Sequence, residues 1–161
     1  MSRTPLQPQP IEGSRAWVIT DGKAGSESQA RGIADGLELD WRLIRVAPTG
    51  LTKLIAPFGR PNRADRFGEP GSVFAPPWPD IAIAIGRRSM PYLRAVKRAH
   101  AATVTIALLD PKAGLGVADL IWVPEHDKLR GPNVITTLTA PHGFSPRRLA
   151  ELRAHPPHAI A

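Results

Sequence analysis

The chain has 161 residues, enough for one domain that buries roughly two-thirds of the surface exposed by its unfolded form. It contains no cysteine and no stretch approaching the roughly 20 apolar residues of a membrane span, which excludes disulfides, thiolate zinc sites and a spanning helix. The 21 basic and 14 acidic residues give a formal net charge of +7, which favours anionic partners such as phosphates, acidic lipid or nucleic acid.

A strand–helix–strand unit is predicted for the first part of the chain, behind a disordered lead over residues 1–14. The apolar run 16–20 predicts a strand that is buried on both faces. A helix follows, because apolar residues recur at helical spacing, at Ala30, Ile33, Ala34 and Leu37. Ser26 and Gln29 have the spacing of a capping box, which predicts a helix start just past Gly25. A second strand over 41–46 completes a parallel unit.

The remainder of the chain continues the alternation. Residues 51–56 predict a short helix, and residues 57–79 form an irregular loop of a length that is usually functional or mobile. Further strands are predicted over 80–85, 103–109, 119–123 and 134–138. One helix carries an apolar stripe from Tyr92 to Ala99, and another spans 145–153 before a tail of 154–161. This predicts one Rossmann-like α/β domain over 15–153, a doubly wound, mainly parallel sheet in three α/β/α layers.

Polar or glycine-bearing clusters follow four of the predicted strands. The carboxyl ends of parallel strands meet at one edge of a sheet, where open α/β folds bind ligands. The first cluster, residues 21–25, offers two glycines, Lys23 and a following helix N-terminus, which suit an anion. The alternative is a tight turn that simply needs glycine. The loop is neither a Walker A loop nor a dinucleotide fingerprint, so neither ATP hydrolysis nor NAD binding follows.

The second and third clusters follow the next two buried strands. Residues 86–89 place two guanidiniums after a glycine, and a guanidinium can bind phosphate or carboxylate through two hydrogen bonds. Adjacent side chains point in different directions, so we expect at most one of Arg87 and Arg88 to face the crevice. Asp110, which precedes a proline, could orient a sugar hydroxyl or serve as a turn residue, and the turn is favoured.

The fourth cluster, residues 124–133, is the densest in charge. His126 between Glu125 and Asp127 could be a general base, or these charges could neutralise one another on a surface loop. No histidine or carboxylate spacing supports a metal site. The candidate catalytic residues are His126 and Glu125. The candidate ligand-binding residues are Asp21, Gly22, Lys23, Gly25, Gly86, Arg87, Arg88, Ser89, Asp110, Arg130 and Asn133.

These four clusters, in this order and spacing over about residues 15–140, resemble the bacterial members of the mitochondrial fission Elm (elongated mitochondria) family, and the motif over 123–134 is the most specific of them. The overall plan of that family is similar to the GT-B glycosyltransferases, in which two Rossmann-like halves face each other across a cleft. The resemblance implies that this chain corresponds to the N-terminal half. Either the chain is then a truncated or split product of a two-domain protein, or a partner chain or a second copy supplies the other half.

The function expected on these grounds is binding of an anionic or phosphorylated sugar, lipid or nucleotide at the carboxyl edge of the sheet. A nucleotide sugar is the ligand that the resemblance suggests, and no other cofactor is implied. We expect no transfer by this chain alone, because half a cleft cannot hold donor and acceptor together.

The alternative is a noncatalytic module that docks on an anionic membrane or a protein through residues 58–67, with their three arginines. The expected location is cytoplasmic, either free in the cytoplasm or in peripheral contact with the inner face of the membrane. Nucleic acid is not an expected partner, because only Trp78 and Tyr92 offer exposed rings for stacking and no nucleic-acid fold signature is present.

Overall fold

Six strands form a single sheet in the computed structural model, which describes residues 11–139 together with 150, 153 and 154. The strands are β1 Arg15–Thr20, β2 Asp40–Arg45, β3 Ile81–Ile85, β4 Val104–Leu108, β5 Leu120–Pro124 and β6 Val134–Thr137. All neighbouring pairs are parallel, in the order β2-β1-β3-β4-β5-β6. The predicted Rossmann-like α/β fold is thereby confirmed.

Within residues 11–139, three α-helices accompany the sheet: α1 Ala24–Gly36, α2 Gly50–Leu54 and α3 Met90–Ala99. The buried side of α1 packs with Val18 of β1 and Ile83 of β3, whereas that of α3 packs with Trp17 and Ile19 of β1. Successive residues of a strand point to opposite faces, so α1 and α3 cover opposite faces of the sheet. None of the helices in the described ranges is long and apolar enough to cross a membrane.

Helix α1 begins at Ala24, two residues earlier than the capping-box pattern predicts. Lys23 is the N-cap residue, and its carbonyl accepts the first helical hydrogen bond from the Glu27 N–H at 2.9 Å. Gly22 has a φ of +81°, which turns the chain from strand to helix within two residues. Ser26 and Gln29 therefore lie inside the helix, and the predicted capping box is wrong.

The long connection 57–79 packs an aromatic cluster onto the sheet. Phe67 and Phe74 stack with ring centroids 5.2 Å apart, and Phe74 stacks in turn on Tyr92 at 5.1 Å. Tyr92 is buried, and its hydroxyl donates to the Asp65 carboxylate, so burial and that contact raise the pKa of Tyr92. The expectation of an exposed Tyr92 ring is wrong, and Trp78 is partly buried against the same core.

The predictions for the two ends of the chain concern residues that lie largely outside the described ranges. This holds for residues 1–10 of the predicted disordered lead, for most of the predicted helix 145–153 and for most of the tail 154–161. Within the remainder of the lead, the Gly13 N–H donates to the Glu38 carbonyl at 2.9 Å, which ties this segment to the turn before β2.

Candidate functional site

A cleft of about 730 Å³ opens at the carboxyl ends of β1 and β3. The chain passes from β1 to β2 on one side and later places β3 on the other side, so the strand order reverses between β1 and β3. Loops leave such a switch point in opposite directions, and the crevice between them is the usual ligand site of open α/β sheets. The residues that line the cleft are Asp21, Lys23, Gly50, Lys53, Leu54, Arg87 and Arg88.

Glycines shape the loops on both sides of the cleft. Gly22 and Gly86 have φ values of +81° and +88°, conformations that other residues rarely adopt. Thr20, fully buried at the end of β1, accepts the Gly22 N–H on its hydroxyl at 3.2 Å. A Cβ on Gly86 would lie 2.9 Å from the Asp21 carboxyl carbon, so only glycine lets the two loops approach this closely.

Asp21 places a buried carboxylate at the base of the cleft. Its side chain is only 3 % exposed, and its Oδ1 atom has no hydrogen-bond partner among the described residues. The other carboxylate oxygen lies 3.8 Å from the ammonium of Lys23. A buried carboxylate oxygen without a donor is costly, so Asp21 has an unmet capacity to accept a hydrogen bond beside the cleft.

Four cationic side chains surround that carboxylate. Lys23 forms the long ion pair just described, whereas Lys53, Arg87 and Arg88 form no hydrogen bond or ion pair within residues 11–139. Four cations and one carboxylate leave an excess of three positive charges in the cleft. Such an excess attracts anions.

Both arginines line the cleft, so the expectation that at most one faces it is wrong. Arg87–Ser89 form a 3₁₀ turn after β3, in which neighbouring side chains do not point to opposite sides as they do in an extended chain. Ser89 is buried, and its hydroxyl donates to the Ile85 carbonyl at 2.9 Å. This serine therefore anchors the turn and is not among the residues that line the cleft.

The N-terminus of α1 also faces the switch point. Free N–H groups of the first helical turn and the helix dipole favour an anion there. Gly25 lies in this first turn but is not among the lining residues. Glu27 accepts two hydrogen bonds from the Arg45 guanidinium at 2.8 and 2.7 Å, which hold the pKa of Glu27 below its usual range. The carboxylate of the first turn is thus paired outside the cleft.

Of the predicted residues after β4 and β5, Asp110, Glu125 and His126 lie on the same edge of the sheet but outside this cleft. Asn133 lies at the opposite edge, directly before β6 and beside the start of β5. Three strand spacings separate β1 from β5, which is roughly 14 Å. Asp110 accepts the Lys112 N–H at 2.9 Å and the Lys112 ammonium at 2.6 Å, so it is the turn residue that the sequence favours. Burial acts to raise the pKa of Asp110, but these bonds outweigh it and lower the pKa.

Two polar side chains of the cluster over 124–133 are used in hydrogen bonds to backbone carbonyls, either of their own loop or of the connection between β4 and β5. The Arg130 guanidinium donates to the backbone carbonyls of Glu125, Asp127 and Leu129. The Asn133 amide donates to the carbonyls of Leu115 and Ala118 at 2.9 and 3.0 Å. Glu125 and His126 are exposed at the surface of this loop.

Sequence reasoning missed the contribution of α2 to the cleft, namely Gly50, Lys53 and Leu54. The signal that could have found them is topological. Strand β2 runs parallel to β1, so the segment that follows β2 must begin at the same edge of the sheet. The prediction of a short helix over 51–56 carried no such placement.

A second basic cleft, of about 740 Å³, lies between α3 and the long connection. Arg60, Arg63 and Arg98 line it together with Arg66, whose guanidinium pairs with Glu69 at 2.8 Å. Arg60, Arg63 and Arg66 are the arginines of the predicted docking loop, whereas Arg98 belongs to α3. No group of histidine, aspartate or glutamate residues within the described chain could hold a metal ion.

A family model for mitochondrial fission ELM1 matches residues 24–161. Neither a curated protein nor a solved structure gives a significant match. The matched region includes α2 and the loop after β3, and it begins just beyond Lys23. Because it covers most of the chain, the protein belongs to the mitochondrial fission ELM1 family.

Proposed function

We propose that the cleft at the β1–β3 switch point binds an anionic ligand that carries phosphate: a phosphorylated sugar, lipid or nucleotide. Three cations without a partner in the described chain, Lys53, Arg87 and Arg88, carry this proposal. Unpaired cations grouped around a concave site at a helix N-terminus have no structural task there, because nothing in the fold neutralises them.

The residues divide into two roles. Arg87 and Arg88 bind phosphate oxygens through their planar guanidiniums, and Lys23 and Lys53 add point charges. Asp21 repels phosphate, so its carboxylate, which lines the cleft, instead accepts a hydroxyl of the same ligand. The ligand class that suits both roles has a hydroxyl close to its phosphate, as sugar phosphates and nucleotides do.

The fold is compatible with the N-terminal domain of a GT-B-like protein. On this proposal the chain corresponds to one half of a glycosyltransferase-like fold, and a second Rossmann-like half would complete the cleft. Transfer needs both reactants held in near-attack geometry, so we expect binding without turnover by this chain alone. Glu125 and His126, which lie farther along the rim, would then contact the second reactant and supply the general base.

Calorimetric titration with pyrophosphate and with a sugar nucleotide, uridine diphosphate glucose, tests the proposal. Replacing Lys23→Ala together with Arg87→Ala should weaken binding of both by roughly a hundredfold, because each charge-assisted hydrogen bond contributes about 1.5–3 kcal/mol. Arg15→Ala with Lys128→Ala is the matched control. It removes the same charge at the opposite end of β1 and at an exposed site after β5, and should leave the affinity unchanged.

Asp21→Ala adds a second arm to this titration. Loss of the negative charge should strengthen pyrophosphate binding, whereas loss of the hydroxyl acceptor should weaken binding of the sugar nucleotide relative to pyrophosphate. If the Lys23/Arg87 variant bound each ligand as tightly as the native chain does, the proposed site would be rejected.

A further inference from the structure

Four large apolar side chains lie exposed within one eight-residue segment beside the cleft. Leu51, Leu54, Ile55 and Phe58 are 69 %, 76 %, 39 % and 57 % exposed. Nine large apolar residues are exposed in the described part of the chain, so almost half of them fall within residues 51–58. Single apolar residues scattered over a surface are ordinary, whereas a contiguous exposed group marks an interaction site.

The segment is fixed in place with these side chains outward. Ala56 and Pro57 between them are buried, and the Arg94 guanidinium donates to the Pro57 carbonyl at 2.7 Å. No residue of α2 is buried. Leu51, Leu54 and Ile55 follow the i, i+3, i+4 spacing that places side chains on one side of a helical turn. These side chains are therefore exposed although the segment itself is fixed to the rest of the fold.

The surroundings of the segment are basic. Residues 41–64 contain no aspartate or glutamate but have five cations: Arg42, Arg45, Lys53, Arg60 and Arg63. Arg45 is paired with Glu27, which leaves four. Lys53 lies within the apolar segment, and Arg60 lies two residues beyond its end. Apolar side chains flanked by cations suit the surface of an anionic bilayer, where the former enter the acyl boundary and the latter meet lipid phosphates.

The apolar segment and the cleft meet at Leu54, which belongs to both. We propose that residues 51–58 insert into the surface of an anionic membrane and that the cleft receives the phosphate head group of a lipid there. This inference rests on the proposed function, because it names a membrane lipid as the source of the bound phosphate. Lys53, which also lines the cleft, lies next to Leu54 and so carries the positive charge to the edge of the inserted surface.

Sedimentation of the full chain with vesicles tests the inference. Vesicles of phosphatidylcholine mixed with phosphatidylglycerol should bind the protein, and vesicles of phosphatidylcholine alone should bind it much less. Leu51→Ser with Leu54→Ser should lower the affinity for the anionic vesicles by roughly tenfold or more. The matched control is Val73→Ser with Leu138→Ser, two exposed apolar residues outside the segment, which should bind as the native chain does. All four side chains are exposed, so neither variant should lose its fold.

The inference would be overturned if the native chain bound neither type of vesicle, or if it bound both types equally. It would also be overturned if the Leu51/Leu54 variant bound anionic vesicles as tightly as the native chain does. A dimer seen by sedimentation velocity that depends on Leu51 and Leu54, without vesicle binding, would assign the surface to a second copy instead.

Glycerol 3-phosphate and pyrophosphate, titrated in parallel, separate this failure from failure of the proposed function. If these soluble anions bind through Lys23 and Arg87 but vesicles do not bind, the cleft proposal holds and the membrane inference fails. Vesicles could instead bind through Leu51 and Leu54 while Lys23→Ala with Arg87→Ala changes neither vesicle binding nor the affinity for the soluble anions. In that case the cleft does not hold lipid phosphate. Both the cleft proposal and the lipid assignment are then rejected.

Discussion

Two ends of the same sheet edge use charged residues in opposite ways. At the switch point between β1 and β3, Lys53, Arg87 and Arg88 line a cleft and have no ion pair within the described chain. After β5, Arg130 donates to three backbone carbonyls of its own loop. The contrast shows that a charged cluster after a buried strand does not by itself make a binding site.

Topology explains the difference. The connections that follow β1 and β3 leave the sheet on opposite sides of the switch point, so a gap stays open between them. Strands β4, β5 and β6 follow one another in order, and their connections lie side by side. The Asn133 amide bridges them, because it donates to Leu115 and Ala118 of the connection between β4 and β5. Neighbouring loops can supply each other with hydrogen-bond partners, whereas loops that diverge cannot.

The largest expected effect comes from Gly86→Ala, which changes the loop after β3 beside the switch-point cleft. Its φ of +88° strains any other residue, and the new Cβ would lie 2.9 Å from the Asp21 carboxyl carbon. We expect unfolding in urea to show a loss of about 2–4 kcal/mol. Displacement of Asp21 should also shift the affinity for a sugar nucleotide.

Gly114→Ala is the matched control at the other end. Gly114 has a φ of +78° but no atom within 4 Å of the added Cβ, so only the backbone strain of about 1–3 kcal/mol applies. Ligand affinity should not change. If both variants lost the same stability and neither changed affinity, the contact between Gly86 and Asp21 would have no part in the site.

A smaller effect is expected from Asn133→Ala, which leaves the Leu115 and Ala118 carbonyls without their donors. The cost should be about 1–3 kcal/mol in urea unfolding, with anion affinity unchanged. Arg87→Ala should do the reverse, because an exposed side chain without a partner in the described chain contributes little to stability. A loss of anion affinity in the Asn133 variant equal to that of the Arg87 variant would merge the two ends into one site.

The sheet could be predicted from sequence because its signal is local. Each buried strand is a short apolar run, and the alternation with helices implies parallel pairing, so all six strands were predicted to within about two residues. The start of α1 was missed because Gly22 turns the chain sooner than the Ser26–Gln29 spacing suggests. The stacking of Phe67 and Phe74 on Tyr92 joins residues far apart in sequence, and periodicity does not record such contacts.

The candidate site was only partly predictable, for a related reason. The loops containing Lys23 and Arg87 could be placed together, because parallel strands end at one edge. Sequence could not tell them from the cluster containing Arg130, because the partners of that guanidinium are backbone carbonyls, which every residue has. Lys53 was missed because its approach to the cleft depends on β2 lying beside β1.

The smallest expected effect concerns pH and lies at the closed end of the edge. Hydrogen bonds from Lys112 outweigh burial and lower the pKa of Asp110 below its ordinary value of 3.8. A carboxyl whose pKa is lower when folded stabilises the fold fully above the unfolded pKa, and this contribution is lost as the pH falls through the folded pKa. Asp110→Asn should therefore be less stable than the native chain at neutral pH, and the difference should shrink below about pH 4.

Lys112→Ala should make the free energy of unfolding in urea less dependent on pH over the same range, because either change removes the pair. The difference should also narrow in high salt, since the Lys112 ammonium is exposed. A difference that persisted unchanged into acid would mean that the charge of Asp110 does not contribute to stability.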